Sequence, residues 1–208
     1  MSNSCLLPKI LNIADNFKTF VKLNNSWKIK KKAMEHYNIT AHLYTKQYSK
    51  EQAVKYAGVL NELKIVKNEY VLDVGCGTGL FIKEIAGMAK VIIGIDISRR
   101  MIEVANAKCK PFRNVYLICG DADYMPLQKK IIDKIFSFTL LQNMPEIYQI
   151  IKEFLRIAKS ESKIILTFNK KAFNSEEVEK LLTKLKLGIS NFIDYEDSKD
   201  YLAICKMG

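Results

Sequence analysis

Cysteine is sparse and odd in number: Cys5, Cys76, Cys109, Cys119 and Cys205 nowhere form a CxxC pair. That excludes a disulfide framework or a thiolate metal cage, and the five read as reduced thiols acting as small hydrophobes in a cytoplasmic protein. Histidine is scarcer still, with only His36 and His42, so no metal site is expected. Arginine supplies four of the 33 basic residues (Arg99, Arg100, Arg113, Arg156), although its planar fork is the preferred reader of phosphate. No uncharged run exceeds 11 residues, Ile135 to Pro145, too short to span a bilayer as a helix. The opening MSNSCLLPKI lacks a basic stretch before its apolar residues, and Lys9 and Asp15 break the apolar stretch itself, so no signal peptide is expected. Linker-like Gly/Ser or Pro runs and internal repeats are also missing.

What remains is an ordinary globular composition, 49% hydrophobic and 26% charged over 208 residues, the size of one domain with an appendage. The formal net charge is +11. Residues 1–50 hold nine Lys against Asp15 and Glu35, a balance of +7, and the remainder of the chain carries only +4. A basic arm of this kind permits contact with nucleic acid or an acidic membrane surface.

Residues 8–23 carry apolar side chains at helical spacing, with Pro8 suited to a first turn. A second helix is expected from Trp27 to Tyr37. A third begins at Ser49, where Gln52 completes a capping-box pattern, and runs to about residue 64. An aromatic-rich connection, Tyr37 to Tyr48, separates the last two. From residue 69 short apolar strands alternate with amphipathic helices. Strands are expected at Tyr70–Val74, Val91–Asp96, Val115–Cys119, Lys134–Thr139 and Lys163–Phe168, and helices at Thr78–Met88, Ser98–Cys109, Glu146–Lys159 and Ser175–Leu187. This alternation predicts a parallel sheet with helices on both faces. A closing hairpin, Ser190–Tyr195 and Tyr201–Lys206, adds an antiparallel strand. The chain divides into a helical extension and lid, residues 1–65, and an α/β domain, residues 66–208.

The sharpest motif is Val71-Leu72-Asp73-Val74-Gly75-Cys76-Gly77-Thr78-Gly79, where an apolar strand delivers an acid and three alternating glycines into a helix start. Glycine serves where φ is positive or a ligand lies against backbone, and this turn sits where open α/β sheets bind ligands. A P-loop would require GxxxxGK[ST], and no Lys follows before Lys83. A dinucleotide fingerprint, GxGxxG, would place the third glycine one residue later. The spacing therefore favours a nucleoside ligand without phosphate over an NAD-dependent oxidoreductase. Asp96 ends the second strand, where a carboxylate can accept from ribose hydroxyls, or cap the following helix. Asp121 ends the third strand, where another carboxylate could accept from an amino group.

Four segments in this order, VLDVGCGTG (71–79), GIDIS (94–98), GDADYMPL (120–127) and FSFTLLQNMP (136–145), resemble class I S-adenosylmethionine-dependent methyltransferases, in the branch that includes quinone-biosynthesis enzymes. The similarity runs over roughly residues 36–206. It implies a three-layer, Rossmann-like, seven-stranded and mostly parallel sheet with one antiparallel strand near the C-terminus. It also implies S-adenosyl-L-methionine as cofactor. By this resemblance Asp73, Gly75, Cys76, Gly77 and Gly79 receive the methionine part, Asp96 the ribose, Ile97 the adenine ring, and Asp121 with Ala122 the adenine region. Thr139, Leu140 and Gln142 border the methyl-donor end. HYNITAHLYTKQY resembles the family's N-terminal lid, with Asn38 in place of its usual acid, and Tyr37, Tyr44 and Tyr48 as lid aromatics. The stretch Gln142-Asn143-Met144-Pro145 departs from the Asn/Asp-Pro-Pro-aromatic pattern of enzymes that methylate adenine or glutamine nitrogen.

Methyl transfer from a sulfonium is an in-line displacement that can rest on positioning and exclusion of water. A base is needed only if the acceptor must lose a proton. Tyr44, Gln142 and Asn143 are the catalytic candidates, and the expected acceptor is a small molecule or an RNA nucleotide. The alternative is a methyltransferase-like cofactor-binding subunit with an interaction or regulatory role toward a protein partner.

Overall fold

A computed structural model describes residues 13–207, and the side chains of residues 25–206. The elements are α1 (Ile13–Glu62), β1 (Tyr70–Val74), α2 (Leu80–Ile85), β2 (Val91–Asp96), α3 (Arg99–Cys109), β3 (Val115–Cys119), β4 (Ile132–Ser137), α4 (Ile147–Ile157), β5 (Ala158–Asn169), α5 (Ser175–Lys184), β6 (Leu187–Ile193) and β7 (Asp200–Met207). A single 3-10 turn, Leu141–Asn143, follows β4.

Strands β1 to β3 are short because their apolar runs are short, bounded by polar and glycine residues. Residues 71–74 are all buried, as a strand covered on both faces must be. The order across the sheet is β3-β2-β1-β4-β5-β7-β6. Pairings among β1 to β5 are parallel, and β7 runs antiparallel to both β5 and β6. The order reverses beside β1, placing a crevice between β1 and β4 at the carboxyl ends. One apolar cluster packs α4 and α5 against the sheet, including Ile150, Phe154, Val178 and Leu182. The other packs α2, α3 and the end of α1, including Val59, Phe81, Ile85 and Ile102.

The extension differs from the expected set of helices. Residues 13–62 form one uninterrupted α-helix, and the earlier part of the predicted 8–23 segment lies outside the described residues. No Pro or Gly occurs between Pro8 and Gly58, so nothing breaks the hydrogen-bond ladder through Tyr37–Tyr48. Ser49 lies in mid-helix rather than at a cap. Asn38, standing where the family has an acid, accepts from Ser98 Oγ (2.8 Å) and from the Arg100 backbone N–H (3.2 Å).

Two buried lysines fasten α1 across the carboxyl ends of the strands. Lys30, 4% exposed, donates to both oxygens of Asp121 at 2.8 Å and also meets Asp123. Lys55 pairs with Asp200 at 2.6 Å, with Glu51 at 3.3 Å and with Thr139 Oγ1 at 3.1 Å. Tyr56 packs its ring on Phe81 and Phe138, with centroids 5.0 Å away in each case. At Gly58 a Cβ would lie 2.9 Å from the Tyr195 ring, so only glycine lets the helix approach this closely. Removing one partner of a buried pair strands the other charge. Asp200→Ala should therefore lower stability by about 3 kcal/mol, and Lys55→Met/Asp200→Leu should recover much of the loss, as read from denaturant midpoints.

Candidate functional site

The glycine turn forms because β1 ends where its neighbour can hold it. Gly75 and Cys76 donate their backbone N–H groups to the Ile95 carbonyl at 2.8 and 3.0 Å. Gly75, Gly77 and Gly79 have φ of +76°, +52° and +72°, a region that side chains disfavour. Asp96 Oδ2 accepts from the Gly77 N–H at 2.9 Å and Oδ1 from the Ser98 N–H at 2.8 Å. The helix cap of α3 is Ser98, whose side chain accepts from the Met101 N–H. Asp96 thus ties the turn to the start of α3 instead of capping it alone.

The turn floors a cleft with about 790 Å³ of empty space, open solvent at its mouth included. Gly75, Gly77, Asp96, Ile97, Asp121, Ala122, Thr139, Leu140 and Asn143 all line it, and α1 adds Lys30, Ala33, Tyr37 and Tyr44. Asp73 and Cys76 instead line an adjoining chamber with Gln52 and Tyr56. Gly79 lines neither, and its missing side chain makes room for Ala105 and Cys109 of α3. Gln142 also lies off the cleft, with its Oε1 buried and unpartnered among the described residues. Thr139, expected within a strand, follows β4 with φ +56°. Its N–H is received by Thr167 Oγ1 at 2.8 Å, and its hydroxyl donates to Asp200 at 3.1 Å. Asn143 donates to the Thr139 carbonyl (3.1 Å) and reaches the Tyr37 hydroxyl at 3.5 Å.

Lys30 and Tyr56 carry no motif of their own, and the capping-box pattern that includes Gln52 falls in mid-helix. Their signal is a helical stripe running through the supposed connection: Lys30, Ala33, Tyr37, Ala41, Tyr44, Gln52, Lys55, Tyr56 and Val59, spaced by one, three, four or eight residues. His36 and His42 fall off this stripe and are exposed.

Burial sets the charge of the site. Burial, with Asp96 nearby, pushes the Asp73 carboxyl up to about 8. Asp96 is also raised by burial, against the lowering effect of its two backbone N–H donors. Burial raises the phenols of Tyr37 and Tyr44, with nearby Tyr and Asp96 adding to it, which keeps both neutral at pH 7. Burial and Asp73 raise the Cys76 thiol. The folded chain holds an Asp73 proton that the unfolded chain has released, so this group costs stability as pH rises from its ordinary 3.8 to about 8. Asp73→Asn should remove that cost. Thermal melts between about pH 5 and pH 8.5 should show wild type falling relative to the variant, and parallel curves would contradict it.

The match to known proteins agrees with this arrangement. The family model described as a methyltransferase domain matches residues 65–203. A demethylmenaquinone methyltransferase of Tropheryma whipplei (strain Twist) is 32% identical over 104 residues, covering 50% of this chain and 43% of that protein. The chain thus matches less than half the length of that relative. Among solved structures, a SAM-dependent methyltransferase from Aquifex aeolicus superposes with TM-score 0.66 at 19% identity, covering 74% of this chain and 89% of its own. Geranyl diphosphate C-methyltransferase from Streptomyces coelicolor A3(2), solved with S-adenosyl-L-homocysteine, superposes with TM-score 0.63 at 11% identity, covering 76% and 79%. With residues 65–203 matched end to end across the sheet and its glycine turn, the chain belongs to the methyltransferase domain family.

Proposed function

We propose that the chain moves the methyl group of S-adenosyl-L-methionine to a small, largely apolar acceptor. The observation that carries this is Asp96, a half-buried carboxylate at the end of β2, pinned by the Gly77 and Ser98 N–H groups beside a turn of left-handed glycines. The residues present suit the cofactor. Gly77 has no neighbour within reach of a Cβ except the Tyr44 ring at 3.9 Å, leaving backbone open to a ligand. Asp96 has carboxylate lone pairs left for ribose hydroxyls, and Ile97 and Ala122 supply an apolar wall for a purine.

When bound, the cofactor supplies an electrophilic methyl group on a sulfonium. The chain's own part is positioning and exclusion of water. Tyr37, Phe138, Leu140 and Met144 give the cleft apolar walls, and the neutral phenols of Tyr37 and Tyr44 offer hydroxyls for orientation. Helix α1 acts as the cover. No histidine lines the cleft, so acceptors that need no strong base fit best. Among the described residues the one lysine lining the cleft, Lys30, is engaged by Asp121 and Asp123, which disfavours a phosphate-bearing acceptor and favours a small molecule over RNA. The name of the Tropheryma whipplei relative points to the same acceptor class.

Asp96→Ala should weaken S-adenosyl-L-methionine binding by about 1–3 kcal/mol in isothermal titration, because ligand hydroxyls lose a charged acceptor. Unchanged affinity would remove the assignment. Incubation of the protein and a cell extract with methyl-labelled cofactor should place label in the solvent-extractable small-molecule fraction. Label confined to RNA would overturn the acceptor class.

A further inference from the structure

The inward stripe of α1 has a counterpart on its outer side. Lys28, Lys32, Ile39, Leu43, Lys46 and Lys50 follow one another at three, four or seven residues, which places them on one face of the helix. All six are exposed, Ile39 at 72% and Leu43 at 42%. The two apolar side chains lie one turn apart in the middle, with a pair of lysines beyond them at either end. From Lys28 to Lys50 the face runs about 33 Å along the axis.

The charge on this face is of one sign. None of its four lysines pairs with a carboxylate among the described residues. The one described carboxylate of α1 near this face, Glu35, is met by Lys31 at 3.9 Å. Glu51 turns to Lys55 and Lys199, and Glu62 to Asn191 and Tyr195. Beside Ile39 an open groove brings in Arg99 and Arg100 from the start of α3, and these two share the single carboxylate of Glu103. The basic surface therefore continues from the helix onto the α/β domain.

Two kinds of polyanion could meet such a surface, and the apolar pair separates them. A nucleic-acid backbone is read best by the arginine fork and offers Ile39 and Leu43 no apolar place. An anionic bilayer offers both, with phosphates for ammonium groups on flexible stems and an acyl boundary just beneath. Single exposed apolar residues are ordinary. A pair centred between four unmatched lysines is what an interfacial helix presents. No described helix is long and apolar enough to cross a membrane, so the contact is one of surface.

We propose that the outer face of α1 is a docking surface for anionic lipid, with Ile39 and Leu43 entering the acyl boundary and the four lysines meeting headgroup phosphates. The face lies opposite Lys30, Tyr37 and Tyr44, so docking leaves the cleft walls and both buried lysine pairs in place. This goes beyond the cofactor reading and does not depend on it.

The test is co-sedimentation of the full chain with vesicles, one set of phosphatidylcholine alone and one of phosphatidylcholine and phosphatidylglycerol in equal parts. Binding should be confined to the anionic set and should weaken as salt rises. Lys46→Gln/Lys50→Gln should lose about tenfold or more in vesicle affinity, and Ile39→Ser/Leu43→Ser a comparable amount. Lys129→Gln/Lys171→Gln removes the same charge from exposed positions of the α/β domain and should change affinity by no more than about twofold. Only exposed positions are substituted, so helix content by circular dichroism should stay at the wild-type value. Absence of binding to the anionic vesicles, or equal binding to both sets, would overturn the proposal. So would equal losses in the two lysine pairs, which would mark net charge alone, or unchanged binding by Ile39→Ser/Leu43→Ser. Tighter capture of a single-stranded RNA oligonucleotide than of the anionic vesicles, insensitive to the apolar pair, would assign the face to nucleic acid instead.

Discussion

Burying an ammonium group is costly unless carboxylates meet it, and among its described side chains α1 buries two. Lys30 and Lys55 each sink into the carboxyl side of the sheet, where Asp121, Asp123 and Asp200 receive them. Each lysine is matched at a separate place, Lys30 at Asp121 and Asp123 and Lys55 at Asp200, and the two together set the docking register of the helix. Much else depends on that register. Tyr37 and Tyr44 are brought over the glycine turn, Gln52 and Tyr56 into the adjoining chamber, and Thr139 is held at φ +56° between Lys55 and Asp200.

The same constraint divides the positive charge by purpose. Within Lys30-Lys31-Lys32 the first is buried and the others are exposed, although nothing in the run itself distinguishes them. Lys28, Lys46 and Lys50 also face solvent. The cleft keeps the opposite character at Asp96, which no described cation pairs with, while Asp73 in the adjoining chamber holds its proton at pH 7. An acidic interior beneath a basic exterior is an arrangement suited to a positively charged ligand.

The α/β domain was legible because each of its signals is local. The bounds of β1, β2 and β3 come directly from apolar runs ended by Asp, Gly or Asn, and the glycine turn announces itself by composition. At β4 the reading overran by two residues, since the left-handed turn at Thr139 comes from tertiary bonds to Thr167 and Asp200. The helical extension was harder. Its inward stripe holds lysines, a glutamine and tyrosines where a buried face would ordinarily show Leu or Ile, and its outward face exposes Ile39 and Leu43. With polar groups inside and apolar groups outside, the usual amphipathic contrast is lost. What the inward groups require, matching carboxylates far along the chain, is information that no local window contains.

An unbroken helix also limits how the cleft can be entered. Lys30 and Lys55 are 25 residues apart, about 38 Å along the axis. With no proline or glycine between them there is no place for the helix to fold back over the cleft, and the cover behaves as a stiff rod pinned at both ends. The cleft's mouth is open to solvent, so a ligand that enters there leaves both pins in place.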